Sequence, residues 1–169
     1  GLFAGPLAIW LHRAKHRPGP KSFWIDTAAA TCHCGAGCTL GDLVAESLAL
    51  SAPALLLAMG PDPIVAGWIL DTLLAFLLGI AFQYFTIAPM RGLSPAAGLM
   101  AALKADTLSL LAWQAGMIGV MAWVQYGLVR LTPAQPEFWF AMQGAMLAGF
   151  AVSYPVNAWL LTIGLKERM

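Results

Sequence analysis

Four long apolar runs, separated by short breaks rich in proline and glycine, leave this chain few folds to choose from. They extend from Thr39 to Met59, Ile64 to Ala88, Pro95 to Leu131 and Phe138 to Leu165. The hydrocarbon core of a bilayer takes about 20 residues of helix, and a backbone surrounded by lipid must satisfy its own hydrogen bonds. Each run is therefore expected to be a transmembrane helix. The breaks at Gly60-Pro61-Asp62-Pro63, Pro89-Met90-Arg91-Gly92 and Thr132–Glu137 are short, so successive helices should be antiparallel. The third run, at roughly 35 residues, is longer than a simple span. Its first two turns are expected outside the hydrocarbon, or the helix tilts or kinks. Pro155 removes one backbone hydrogen bond from the last helix and is expected to kink it.

Composition agrees with this reading. The chain is 60% hydrophobic and 10% charged, where a soluble domain carries about 25% charged residues. Its net charge of +1 creates no basic field of the kind that draws nucleic acid. The first apolar stretch, Leu2 to Leu11, is about half the length of a span. Residue 1 is Gly rather than Met, so this stretch is expected to be the end of a longer helix or a short peripheral one. A signal peptide carries its charges before the apolar core; here Arg13, Lys15 and Arg17 follow it. The expected fold is an all-α polytopic transmembrane bundle forming one membrane-embedded domain over residues 1–169. It has four full spans plus a partial N-terminal helix.

Basic residues set its orientation. Arg13, Lys15, Arg17, Lys21, Arg91, Lys104, Lys166 and Arg168 fall on one side of the alternating spans, and Arg130 alone falls on the other. The expectation is a bacterial inner membrane protein with a cytoplasmic C-terminus and a cytoplasmic basic loop over residues 12–38. Trp10, Trp24, Trp68, Trp139 and Trp159 fall near span ends, where an aromatic belt belongs.

The stretch Thr31-Cys32-His33-Cys34-Gly35-Ala36-Gly37-Cys38-Thr39 holds all three cysteines and is expected to close that loop, at the mouth of the first full span. A cytoplasmic face is reducing, so free or metal-bound thiols are expected rather than disulfides. Cys32, His33, Cys34 and Cys38 are candidate ligands for a soft ion. Cys34 and Cys38 would lie one turn apart, Cys32 and His33 would come from the preceding loop, and Gly35 and Gly37 would let the backbone fold tightly. The spacing lacks the two separated ligand pairs of a zinc finger and the fourth cysteine of a common iron–sulfur site. Copper(I) fits best, with zinc the other candidate. The bland alternative is that the thiols are small apolar residues at a helix entry.

Asp42 and Glu46 continue the i, i+4 series from Cys34 and Cys38, forming a polar stripe along one helix face. Ionisable groups inside spans are costly and face the bundle interior. Asp71, Lys104 and Asp106 join them as candidates for a cation or proton pathway. Gln83, Gln114, Gln143 and Asn157 add uncharged polar groups. Against this stand a helix-dipole role for Asp42, an interfacial position for Lys104 and Asp106, and polar packing between helices. Ala75, Gly79, Gly116, Gly119, Gly144 and Gly149 are read only as close-packing sites. His12 and His16, interleaved with basic residues, read as a solvated face touching anionic lipid.

Several segments taken together resemble a bacterial family of multi-pass membrane proteins classed as a domain of unknown function. They are Gly5-Pro6-Leu7-Ala8-Ile9-Trp10, Cys34-Gly35-Ala36-Gly37-Cys38-Thr39-Leu40-Gly41-Asp42, Phe82-Gln83-Tyr84-Phe85 with Ala88-Pro89-Met90-Arg91-Gly92, Lys104-Ala105-Asp106-Thr107-Leu108-Ser109, and Tyr154-Pro155-Val156-Asn157 with Gly164-Leu165-Lys166-Glu167. The resemblance implies a longer first helix, hence five spans in the intact protein. It places the His33–Cys38 stretch, Asp42, Lys104 and Asp106 within the family pattern and implies no established activity. The expected function is binding and transfer of a soft metal ion. The alternative is a non-transporting subunit of a larger membrane complex or homo-oligomer, with structural or redox-sensing cysteines. A membrane enzyme using Asp42, Glu46 and Lys104 has no recognised motif behind it.

Overall fold

The computed structural model describes Ile9 and residues 23–166. The His12/His16 pair, Trp10, the basic residues Arg13, Lys15, Arg17 and Lys21, Arg168 and, Ile9 apart, the Leu2–Leu11 stretch lie outside the described residues. Within them every regular element is helical: α1 (Phe23–Ser51), α2 (Pro53–Met59), α3 (Pro63–Arg91), α4 (Pro95–Ala122) and α5 (Pro136–Thr162). α4 continues as a π-helical turn, Trp123–Leu128. Three helices are singly long and apolar enough to cross a membrane, at 63–89, 95–128 and 136–162. A fourth span is available if α1 and α2 count as one broken helix. At 1.5 Å per residue, 27 residues reach ~40 Å, more than the ~30 Å of hydrocarbon.

Two expectations change at α1. It does not start at Thr39; the helix begins at Phe23 and carries the whole cysteine stretch, so residues 23–38 are not a loop. Thr27, Thr31 and Thr39 donate to the carbonyls of Phe23, Thr27 and Gly35, one turn back, and these hydroxyls are thereby satisfied inside an apolar bundle. The second change is at the other end. The run to Met59 is not straight, because α1 and α2 meet at 102°. Pro53 has no N–H to continue the ladder and forces Ala52 out of the helical region, to φ −138 and ψ 62.

α1, α3, α4 and α5 form a four-helix bundle in which α1 packs on α3 and α5, and α4 packs on α3 and α5. The seam between α1 and α3 brings backbone close to backbone. A Cβ at Gly37 would lie 2.7 Å from Gly79 Cα, and one at Gly41 would lie 2.5 Å from Ala75 N. Gly37-x-x-x-Gly41 thus meets Ala75-x-x-x-Gly79, small residues against small residues, as in lipid-embedded helix pairs. Gly116 and Gly149 do the same between α4 and α5, while Gly119 and Gly144 face open space. Gly35, expected to tighten a loop, instead seats the indole of Trp113.

The surface is apolar and the interior is partly polar. Leu73, Leu77, Phe85, Phe140 and Trp159 are exposed, whereas Asp42, Asp71, Gln83, Asp106, Ser109, Ser153 and Asn157 are buried. This inversion is what lipid selects for. α5 runs unbroken through Pro155. At the far end of the bundle, Gln125 both donates to Leu131 O (2.9 Å) and accepts from Leu131 N (2.8 Å), fastening the π-helical turn to the following loop.

Asp62 caps α3 by accepting from Ile64 N at 2.9 Å and also accepts the Tyr126 hydroxyl at 2.8 Å. The Tyr126 bond, then the Ile64 bond, hold its carboxyl below the usual range. A depressed folded value means that this contribution is present above the unfolded value of about 4 and is lost as pH falls through the folded one. Asp62→Ala is expected to remove that acid-side slope from thermal unfolding followed between about pH 2.5 and 6. An unchanged slope in the variant would assign it elsewhere.

Candidate functional site

A helix turns 100° per residue, so the consecutive side chains of Cys32, His33 and Cys34 diverge. Cys32 is half-buried. The His33 ring points to α3, where it meets Thr86 Oγ1 at 3.3 Å and the Phe82 ring edge-on. Cys34 and Cys38 are the pair that share a face. Both are almost fully buried and belong to one packed layer. All three cysteines are free. Among the described residues, no three His, Cys, Asp or Glu side chains gather closely enough to hold a metal ion. The four-ligand cluster expected from sequence is therefore not assembled; two of its members are.

The thiols sit in a packed layer with Ala75, Ile80, Ala102, Leu110 and Trp113, against which Met146 also packs. The Met146 sulfur lies 3.9 Å from the hydroxyl of Thr39, the residue after Cys38. Met146 also packs against a second cluster built on Met117, Met121 and Met142. A row of thioethers thus leads from the thiol layer along the α4–α5 seam. These methionines were missed in the sequence, although their i, i+4 pairs (Met117/Met121 and Met142/Met146) put them on shared faces.

One to two turns beyond the thiols, α1 presents Asp42 and Glu46 to α3. Asp71 lies within electrostatic reach of both, and Gln114 of α4 stands beside Asp42. The Gly37–Gly79 and Gly41–Ala75 contacts set an antiparallel register, which carries Asp71, one turn before Ala75, to the level of Ala45, between Asp42 and Glu46. Both carboxylate oxygens of Asp71 and Oε1 of Gln83 are buried with no hydrogen-bond partner, and the buried Asp42 carboxylate faces the Gln114 amide short of full hydrogen-bond geometry. Buried polar groups are almost always paired. Ionisable and polar groups inside a span are costly and face the bundle interior, as these do.

Toward the opposite end, Asp106 is within electrostatic reach of Cys38. It is paired with Lys166, whose ammonium lies 2.6 Å from Asp106 Oδ1 and 2.7 Å from Asn157 Oδ1. Lys166 was expected to flank the membrane as a cytoplasmic charge; it is instead buried. Lys104, expected beside Asp106 in the pathway, is exposed on the other side of α4. From Lys166 to Asp71 the interior thus carries one file of ionisable groups: Lys166, Asp106, Cys34 with Cys38, Asp42, and Glu46 with Asp71.

The fold and this file define a helical membrane protein with a polar interior axis. The chain belongs to the family described as domain of unknown function DUF4396, whose model matches residues 23–166. No curated protein and no solved structure matches the chain.

Proposed function

We propose that this protein binds and passes on a soft metal ion, copper(I) in preference to zinc, at Cys34 and Cys38. One observation carries the reading: two thiols lie side by side in the bundle interior with the Met146 thioether in the same layer. Thiolate and thioether sulfurs select copper(I), which accepts two or three ligands, whereas zinc asks for four in a tetrahedron. Cys32 and His33 serve at most as an approach to the pair, since both turn away from it. Asp42, Glu46 and Asp71 continue the axis past the thiols and supply a route for the cation or for a coupling proton.

Direction follows from charge. The exposed Arg91 and Lys104 lie toward the end of the bundle where α1 begins, and Arg130 lies at the other end. By the positive-inside rule the first end faces the cytoplasm of a bacterial inner membrane. Lys166 does not count toward this bias, because its charge is neutralised within the bundle.

Anaerobic loading with copper(I) under reducing conditions, followed by elemental analysis, tests the site. About one copper per chain is expected, matching one thiolate pair. It should be lost from Cys34→Ser/Cys38→Ser and bound more weakly by Met146→Leu. Copper retained by the double cysteine variant would rule out the pair. No copper on the unmodified protein would turn attention to an accessory role in a larger membrane complex.

A further inference from the structure

We propose a second cation site, lined by oxygen rather than sulfur, at Asp106, Ser109 and Asn157 between α4 and α5. It takes a small monovalent cation such as sodium in competition with the ammonium of Lys166. Local geometry brings the lysine there. After α5 the chain turns at Gly164, whose φ of 73 lies in the region that favours glycine. The amides of Leu165 and Lys166 then fold back onto Leu160 O, at 3.1 and 3.2 Å. The side chain enters the bundle and is buried.

The ammonium is held as a metal cation would be. Asp106 Oδ1 lies at 2.6 Å, Asn157 Oδ1 at 2.7 Å and Ser109 Oγ at 3.5 Å. The cage is oriented independently of its occupant. Asn157 Nδ2 donates to Ser153 O (3.0 Å) and Ser153 Oγ (2.9 Å), which fixes the amide with its oxygen toward the cage. The Ser153 hydroxyl in turn donates to Ser109 O at 3.1 Å. One oxygen of the cage is spare: Asp106 Oδ2 is buried and has no partner. A single carboxylate among neutral oxygens balances one positive charge, whereas divalent ions draw more carboxylates. Hard oxygen donors also separate this site by ion type from the thiols nearby. Lys166 hangs from a turn rather than a helix, on a flexible four-carbon stem, so it can withdraw when an ion takes its place. The inference does not rest on the thiol pair, and Cys34→Ser/Cys38→Ser should leave every result below unchanged.

The first test uses the unmodified protein in detergent. Lys166 acylation by an amine-reactive ester is followed by peptide mass spectrometry, in sodium chloride and in N-methylglucamine chloride at equal ionic strength. Several-fold faster acylation of Lys166 in sodium is expected, with the exposed Lys104 as an insensitive internal standard. Equal rates in the two salts would overturn the competition. The second test empties the cage with Lys166→Ala. Its melting temperature should rise saturably with sodium and not with N-methylglucamine, and Lys166→Met/Asp106→Asn, which buries no charge, should fold and show no such rise. A Lys166→Ala protein indifferent to sodium would overturn the site itself.

Discussion

Gly41→Leu is expected to pry α1 from α3 and to be among the most destabilising single substitutions in this protein. A Cβ at residue 41 would stand 2.5 Å from Ala75 N and 2.7 Å from Ala75 Cα. Backbone atoms in the middle of a helix cannot step aside as a side-chain tip can, so the whole helix must shift. Overpacking costs about 1–3 kcal/mol where neighbours adjust, and a backbone contact places this case at the upper end or beyond. In lipid no hydrophobic force between helices compensates, because acyl chains solvate leucine as well as another helix does. The loss extends beyond the contact: Asp42 follows Gly41 and would move away from Asp71. Gly119→Leu is the control, since nothing lies within 4 Å of a Cβ there. Thermal unfolding in detergent should separate the two variants widely. A Gly41→Leu protein as stable as Gly119→Leu would mean that α1 and α3 do not pack at this register.

Which parts of this arrangement could be read in the sequence follows from what lipid does and does not demand. It demands contiguous apolar surface, and so α3, α4 and α5 were legible as runs. α1 was legible only from Thr39 onward, because its first turns present threonines and glycines to other helices rather than leucines to lipid. Hydropathy does not register a helix whose sides are largely covered by protein. Pro53, set within an apolar run, does not stand out in the sequence as a breaker. Asp42, Glu46 and Asp71 stood out because ionisable groups in spans face inward. Their convergence depends on the Gly41–Ala75 register, which one sequence does not contain. Cys32 and His33 were grouped with Cys34 by proximity along the chain, and helical rotation then took them apart. Lys166 read as a flanking charge because its route inward depends on one left-handed residue, Gly164, two positions earlier.

Asp106→Ala is expected to cost about 3–5 kcal/mol, the typical penalty for stranding one member of a buried ion pair. The pair here is enclosed: the side chains of Lys166 and Asp106 are 0% and 1% exposed. Removing the carboxylate leaves an ammonium that faces only the Asn157 carbonyl and the Ser109 hydroxyl, which do not neutralise its charge, or that withdraws and leaves the cage empty; either way the packed arrangement of the pair is lost. Asn157 keeps its own bonds to Ser153, so the loss reports the charge rather than a collapsed network. The pair need not be a net stabiliser. Replacing both partners by apolar groups of similar size is often neutral or better, so Asp106→Leu/Lys166→Met should recover most of the stability lost in Asp106→Ala. A double-mutant cycle on denaturation midpoints measures the coupling between the two residues. Additive single effects would mean that Lys166 does not rest on Asp106. Strong coupling with a stable apolar double variant would show instead that the pair persists for something other than stability.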